Sequence, residues 1–82
     1  MMAESVDVIV PMVGEAMSDI VLVRWLKELG DTVMKGEALF ELDIEKAVVE
    51  IESFITGVLI EVMVGPDDTV EVHQVIARID PT

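Results

Sequence analysis

One stretch of the chain decides the fold: VLVRWLKELGDTVMKGEALFELD, residues 21–43, which recurs 37 residues later as VLIEVMVGPDDTVEVHQVIARID, residues 58–80. Six residues of the first copy are identical in the second: Val21, Leu22, Asp31, Thr32, Val33 and Asp43. This spacing predicts two halves with the same local structure, related by an approximate twofold axis.

The secondary structure of the repeat is ambiguous in the first copy and clear in the second. Four apolar residues of the first copy fit the i, i+3, i+4, i+7 spacing of an amphipathic helix: Leu22, Trp25, Leu26 and Leu29. The second copy is rich in β-branched residues over 58–64 and continues with Gly65-Pro66, which is typical of a strand. If the two halves share a fold, residues 20–28 are a strand as well.

Each half therefore reads as strand, turn, short strand, strand. A single sheet leaves one apolar face uncovered, so two sheets must pack face to face. The β-rich segments 6–10 and 48–52 each complete one sheet. We predict an all-β fold, a flattened barrel or sandwich of two four-stranded antiparallel sheets with internal pseudo-twofold symmetry, a barrel-sandwich hybrid.

Composition limits the classes of function. The chain has 82 residues, enough for one small domain, and it has no cysteine, which excludes disulfides and thiol chemistry by the polypeptide itself. A formal charge of −12 disfavours nucleic acid and anionic membranes as partners. No apolar run is long enough for a transmembrane helix, and the first residues do not resemble a secretory signal. We expect an intracellular protein, in the cytoplasm of a bacterium or archaeon or in the mitochondrial matrix of a eukaryote.

The two halves are joined by Asp43-Ile44-Glu45-Lys46-Ala47, whose counterpart in the repeat is the last segment, Asp80-Pro81-Thr82. A tight hairpin at the junction would place Lys46 at its tip, where the carboxylates of Asp43, Glu45 and Glu50 keep it hydrated. By position alone, a lysine at such a place is more often an ordinary solvated turn residue.

The junction resembles a known family, the lipoyl domains of 2-oxo acid dehydrogenase complexes, whose lysine lies in a hairpin of the form Glu-Thr-Asp-Lys-Ala. The resemblance extends from about Val6 to Asp80. It includes the GDTV turn at 30–33, the turn at Gly36, the core positions Leu39 and Leu42, and Gly57, eleven residues after the lysine. This chain departs from the pattern at Glu45, which replaces the usual aspartate, and at Ile44, which replaces a more common polar residue at the tip.

The resemblance implies a carrier function. Lipoate would be held in amide linkage to Lys46, presented by Glu45 and Ala47, after attachment by a lipoate ligase or lipoyl transferase. The arm would accept an acyl group from a thiamin-dependent 2-oxo acid decarboxylase, deliver it to an acyltransferase core for transfer to coenzyme A, and be reoxidised by dihydrolipoyl dehydrogenase, a flavoprotein. The isolated domain would be a non-catalytic monomer, part of a dihydrolipoamide acyltransferase chain.

The same resemblance sets the expected boundaries: a flexible tail at 1–5, a lipoyl domain at 6–80, and the start of a possible linker at 81–82. It also places partner docking near the lysine hairpin and in the loop after the first strand. Here that loop is PMVGEAMSD, residues 11–19, which has no equivalent of its length in the second half. The predicted docking residues are Gly14, Glu15, Ala16, Met17 and Asp43.

Other functions remain alternatives. Biotin carrier domains are similar in fold and have a lysine at the same hairpin. Their lysine is typically flanked by methionines, whereas Lys46 lies between Glu45 and Ala47. A freestanding lipoyl carrier and an unmodified structural domain are also open. An enzyme is disfavoured, because neither a catalytic triad nor a metal-ligand cluster can be assembled around the sole histidine, His73, which aligns with Gly36 as a turn residue. Asp31 and Asp68 are expected to bind backbone amides in turns.

Overall fold

The computed structural model of the protein describes residues 4–12 and 19–82. These residues form eight strands: β1 (Val6–Ile9), β2 (Ile20–Trp25), β3 (Thr32–Val33), β4 (Ala38–Ile44), β5 (Ala47–Glu52), β6 (Gly57–Val62), β7 (Thr69–Val70) and β8 (Val75–Pro81). Within these two ranges no helix is long and apolar enough to cross a bilayer.

The strands form two four-stranded sheets, with the orders β1-β8-β6-β3 and β5-β4-β2-β7, and every pairing is antiparallel. The predicted fold class is confirmed. Alternation along β4 turns Leu42 and Ile44 inward and Asp43 outward, as the twofold period of a strand requires. The buried apolar residues of both sheets meet in one core between them, which includes the expected positions Leu39 and Leu42.

The sequence repeat is visible in the backbone. In the pairing of β2 with β4 the register shifts between Leu22 and Arg24, and in the pairing of β6 with β8 it shifts between Leu59 and Glu61. The bulges are 37 residues apart, as are the two copies of the repeat. Bulges increase the local twist of a strand. β2 and β6 are therefore twisted at equivalent positions, and the two sheets curve around one core.

Four tight turns repeat in two pairs. In the turn that begins at Glu28 and the turn that begins at Gly65, the N–H of the first residue donates to the carboxylate of the fourth, Asp31 or Asp68, at 2.9 and 2.8 Å. The turns that begin at Met34 and Glu71 make the same bond to Glu37 and Gln74, both at 2.9 Å. The predicted role of Asp31 and Asp68 is confirmed.

The third residue of each turn has a positive φ: 90° at Gly30 and Gly36, 73° at Asp67 and 70° at His73. Asp67 is the repeat counterpart of Gly30, and His73 is that of Gly36. The second half therefore keeps the left-handed turn conformation without the glycine that favours it. The prediction that His73 is a turn residue aligned with Gly36 is confirmed.

The two halves exchange their short strands, which the sequence did not reveal. β3, from the first half, pairs with β6 of the second, and β7 pairs with β2. The exchange begins in the turns before these strands, because Gly30 N donates to Leu59 O at 2.8 Å and Asp67 N donates to Leu22 O at 2.8 Å. β2 accordingly ends at Trp25, earlier than the predicted residue 28, and the chain crosses to the other sheet.

Trp25 is half-buried and joins the two halves. Its ring lies 5.2 Å from that of Phe40, centroid to centroid, at a tilt of 52°. Its Nε1 donates to the carbonyl oxygen of Val64 at 2.9 Å. An indole N–H that packing shields from water needs such a partner, and Trp25 is accordingly packed against the core.

The last strand continues one residue past the expected boundary at 80. β8 runs to Pro81, which pairs with Gly57, and Thr82 N donates to Thr56 O at 3.2 Å. A Cβ on Gly57 would overlap the carbonyl oxygen of Asp80. The glycine is therefore required by the close approach of β6 and β8, which is the physical reason for a residue that the sequence showed only by resemblance.

Candidate functional site

The junction between the halves is a two-residue hairpin. β4 ends at Ile44, β5 begins at Ala47, and these two residues are paired across the turn. Glu45 and Lys46 occupy the turn with φ angles of 52° and 69°. Left-handed φ at both central residues is the signature of a type I′ turn, whose twist matches that of the flanking strands. Lys46 is therefore at the apex of the hairpin, as predicted.

This turn is built without the residues that favour it. Type I′ turns prefer Asn-Gly or Gly-Gly, and a side chain in the left-handed region costs roughly 1–2 kcal/mol. Here both positions carry long side chains, Glu45 and Lys46. The strain has to be offset by the pairing of β4 with β5, which extends from Ala38 and Glu52 to the turn.

Ile44 corrects one prediction. The sequence placed it at the exposed tip, but its side chain is only 8% exposed and belongs to the core. Because alternate residues of a strand point to opposite faces, Ile44 follows Leu42 inward. Burying an isoleucine stabilises the fold by about 1.5–3 kcal/mol, which is comparable to the cost of one or two left-handed residues in the turn.

The side chains of the turn differ from Ile44 in exposure. Glu45, Lys46 and Ala47 are all exposed, and Asp43, on the outer face, is half-buried. Within residues 4–12 and 19–82, Lys46 has no ion pair, whereas Lys27 binds Glu37 at 3.0 Å. Because its side chain is exposed, Lys46 can be reached from solution past the described residues.

Acidic residues continue along the outer face of this sheet. Glu41 accepts a hydrogen bond from Arg24 Nε at 2.8 Å, and this bond raises the pKa of Arg24 above its ordinary value. Glu41 is also directly opposite Glu50 on β5. The approach to the hairpin along β4 and β5 thus carries the carboxylates of Glu41, Asp43 and Glu50.

The predicted docking residues divide into two groups. Gly14, Glu15, Ala16 and Met17 lie outside the described residues, so their placement is not tested. Asp43 is on β4, opposite Val48 and three residues before the lysine. The loop after β1 returns at Asp19, and the next residue, Ile20, pairs with Ile44. The end of that loop is therefore beside the hairpin.

Two further features of the described residues concern metal ligands and the sole histidine. No group of three or more His, Cys, Asp or Glu side chains there could hold a metal ion. His73 is exposed, in the turn that follows β7. It lines an apolar cavity of about 250 Å³ together with residues such as Ile9, Ile51 and Phe54. This cavity lies toward the end of β5 farthest from Lys46, and no pattern in the sequence indicated it.

Sequence reasoning also missed the two features that shape the hairpin, the left-handed conformation of Glu45 and Lys46 and the inward position of Ile44. The length of the loop could have indicated the first, since two-residue hairpins favour type I′ or II′ turns. Alternation from the buried Leu42 could have indicated the second. Both follow only once the ends of β4 and β5 are known to the residue.

Most of the chain matches one family model and several known proteins. The Biotin_lipoyl family model, described as "Biotin-requiring enzyme", matches residues 6–79. The dihydrolipoyllysine-residue acetyltransferase component of the pyruvate dehydrogenase complex from Corynebacterium glutamicum is 42% identical over 73 residues, which are 89% of this chain and 11% of that protein. The dihydrolipoyllysine-residue succinyltransferase component of the 2-oxoglutarate dehydrogenase complex from Staphylococcus saprophyticus is 45% identical over 71 residues, 87% of this chain and 17% of that protein.

The chain thus spans less than a fifth of the length of these relatives. Its fold is that of a solved lipoyl domain, the one from the 2-oxoglutarate dehydrogenase complex of Azotobacter vinelandii. The two structures superpose with a TM-score of 0.73 over 90% of this chain and 94% of the other, at 24% sequence identity. At 24% identity this structural similarity is evidence for the fold alone.

Proposed function

This chain belongs to the Biotin_lipoyl family, and on that premise we propose that it is a lipoyl carrier domain with Lys46 as the attachment site. One observation carries the proposal: Lys46 is exposed at the apex of a two-residue turn, with its side chain unpaired among the described residues. An attaching enzyme needs an amine that it can reach without unfolding the domain, and this hairpin offers one.

The residues present fit lipoate. The exposed amine can form the amide, and its neighbours Glu45 and Ala47 are not the methionines that flank the lysine of a biotin carrier. Amide formation removes one positive charge, so the formal charge of −12 becomes more negative. Bound lipoate would supply a dithiolane for redox and acyl-transfer chemistry, which a chain without cysteine lacks.

The proposed partners are supported by the relatives, which are components of pyruvate and 2-oxoglutarate dehydrogenase complexes. We place this chain in a dihydrolipoamide acyltransferase, where it exchanges acyl groups between a thiamin-dependent 2-oxo acid decarboxylase and an acyltransferase core and is reoxidised by dihydrolipoyl dehydrogenase. Tethering the arm to a protein raises its effective concentration at each active site. The domain itself carries the acyl group and is recognised by the partner enzymes, which make and break the bonds.

The recognition surface proposed here combines Asp43 with the loop at 11–19. Asp43 is on the same hairpin as Lys46, and the loop returns to the sheet at Asp19, beside Ile44. The carboxylates on this side match a partner whose active-site entrance is basic. The proposal also includes a flexible tail at 1–5, the domain at 6–80, the start of a possible linker at 81–82, and a location in the cytoplasm or, in a eukaryote, the mitochondrial matrix.

Intact-mass analysis tests the attachment site. The unmodified domain is incubated with lipoate, ATP and a lipoate ligase, and we expect one lipoyl group on the wild type and none on Lys46→Arg. Matched controls are Lys27→Arg and Lys35→Arg, which remove the other two lysines of the chain and should leave labelling unchanged.

Equal labelling of the wild type and Lys46→Arg would overturn the assignment. Labelling by a biotin ligase, and not by a lipoate ligase, would support a biotin carrier in its place. If the wild type is lipoylated at Lys46, rates of its reductive acylation by each purified decarboxylase would identify the complex in which the domain acts.

A further inference from the structure

We infer that Ile44 is a positioning residue for the modification of Lys46: its burial fixes the register of the hairpin and thereby holds the lysine in its left-handed, outward conformation. The inference rests on the proposed function, since it concerns the reaction of the same amine. It assigns a role to the residue at which the sequence departs most from the family pattern.

Ile44 belongs to a row of residues that are paired across the strands of its sheet. Ile44 pairs with Ala47 on β5 and with Ile20 on β2, and Ile20 pairs in turn with Val70 on β7. Ile20 and Val70 are 3% and 2% exposed, and Ile44 is 8% exposed. The row crosses all four strands of the sheet, and Ile44 is its last buried residue before the edge strand.

This row of paired residues sets the length of the turn. A two-residue loop exists only if Ile44 and Ala47 are the closing pair. A slip of one residue would turn Ile44 outward to solvent, because side chains alternate between the faces of a strand. Burial of Ile44 opposes that slip, and Glu45 and Lys46 are thereby kept as the two central residues of the turn.

The turn conformation distinguishes Lys46 from the other two lysines. All three lysines lie in the described residues, and Lys46 alone has a positive φ. Lys35 is also exposed in a tight turn, but there Gly36 takes the positive φ and Lys35 N donates to Thr56 Oγ1 at 2.9 Å. An enzyme that recognises a lysine at a freely projecting apex would accept Lys46 and reject Lys35.

Without Ile44 in the core, the pair Ile44 and Ala47 would open and Lys46 would sample a wider loop. The attaching enzyme binds productively only those domains whose hairpin is in the tight-turn conformation, so its apparent affinity falls in proportion to that fraction. We therefore expect loss of Ile44 to weaken productive binding of the domain while leaving the chemistry on a correctly bound amine unchanged.

The experiment compares Ile44→Ala, Ile44→Val and Ile76→Ala in the full domain. Ile76 is fully buried on β8, in the other sheet, so its truncation disturbs the core at a strand that does not pair with β4 or β5. Each variant is assayed with lipoate ligase at a temperature at which unfolding curves show it to be folded. We expect Ile44→Ala to raise the KM for the domain about tenfold with kcat nearly unchanged, as a binding-competent fraction of about one tenth would, and Ile44→Val and Ile76→Ala to stay close to the wild type.

A spectroscopic readout accompanies the kinetics. In NMR spectra of the wild type and Ile44→Val we expect cross-strand contacts between residues 44 and 47 and a coupling constant at Lys46 that reports its positive φ. Both signatures should weaken in Ile44→Ala and persist in Ile76→Ala.

The outcomes separate the two proposals. If the wild type is not lipoylated, the proposed function fails and this inference fails with it. If the wild type is lipoylated and Ile44→Ala shows an unchanged KM, or if Ile76→Ala raises KM equally, the positioning role of Ile44 is overturned while the proposed function stands.

Discussion

At the scale of single residues, backbone conformation does more in this protein than side-chain chemistry. Every left-handed residue outside the Lys46 hairpin, within the described ranges, is the third residue of a tight turn: Gly30, Gly36, Asp67 and His73. Glycine adopts this conformation without strain, and side chains other than those of Asn and Asp adopt it at a cost. The turns that carry the symmetry of the fold are therefore also where single substitutions should be most visible.

Gly36→Ala should destabilise the domain by about 1–2 kcal/mol, because alanine is strained at a φ of 90°. The matched control is Gly65→Ala, a turn residue without a positive φ and with no atom within 4 Å of a new Cβ. Its effect should stay within about 0.5 kcal/mol. Urea unfolding followed by the fluorescence of Trp25 measures both, and equal losses in the two variants would contradict the conformational explanation.

Glu37 makes the stability of the turn from Met34 to Glu37 depend on pH. Its carboxylate accepts the Met34 N–H and lies beside Lys27, and these contacts lower the pKa of Glu37, the hydrogen bond contributing most. A carboxyl whose pKa is lower in the folded state stabilises the fold above its unfolded pKa, and this contribution is lost as pH falls through the folded pKa.

Replacing Glu37 with Gln should remove that dependence and keep the turn, because Gln74 makes the same bond in the repeated turn, to Glu71 N at 2.9 Å. We expect stability to fall less steeply in Glu37→Gln than in the wild type on acidification below about pH 4.3, the ordinary pKa of a glutamate. Unfolding curves over a pH series provide the measurement. Parallel pH profiles for the two proteins would show that the carboxylate contributes nothing.

At the scale of strands, the two sheets carry the same cross-strand triad with opposite central charge. In one sheet Arg78 on β8 lies between Asp7 on β1 and Glu61 on β6, with its Nε 3.2 and 3.8 Å from their carboxylates. In the other sheet Glu41 occupies the centre, between Arg24 and Glu50. The edge carboxylate is thus paired favourably in the first sheet and placed opposite a like charge in the second.

The same charge reversal should therefore have opposite effects at the two edges. Glu50→Lys replaces a repulsion with an attraction to Glu41 and should stabilise the domain by about 0.2–1 kcal/mol. Asp7→Lys, at the equivalent position, places a cation opposite Arg78 and should destabilise it by a similar amount. Both effects should shrink in high salt. Changes of the same sign in the two variants would rule out pairwise charge as the cause.

At the scale of the whole molecule, the candidate site lies where the symmetry is broken. β1 and β5 occupy equivalent edges, one beside β8 and the other beside β4. β4 and β5 are consecutive and are joined by the Lys46 hairpin, whereas β1 and β8 come from opposite ends of the described chain. The scaffold is thus used twice, and only one copy has a tight turn at this position in which a lysine can be presented.

The sequence by itself determined the strands, the repeat and the place of the hairpin. These follow from local properties: β-branched residues favour strands, turns need residues such as Gly30 and Asp31, and a 37-residue recurrence implies two equivalent halves. The exposure of Lys46 was predictable for the same reason, since a charged residue between two strands favours the tip of a turn.

Only the tertiary structure decided the exchange of β3 and β7, the left-handed conformation of Glu45 and Lys46, the burial of Ile44 and the opposition of Glu41 to Glu50. Each depends on which strands pair and in which register. A shift of one residue leaves the local sequence unchanged but moves every side chain of a strand to the other face. Pairing between distant segments, which closes the core, fixes that register and with it the geometry of the lysine.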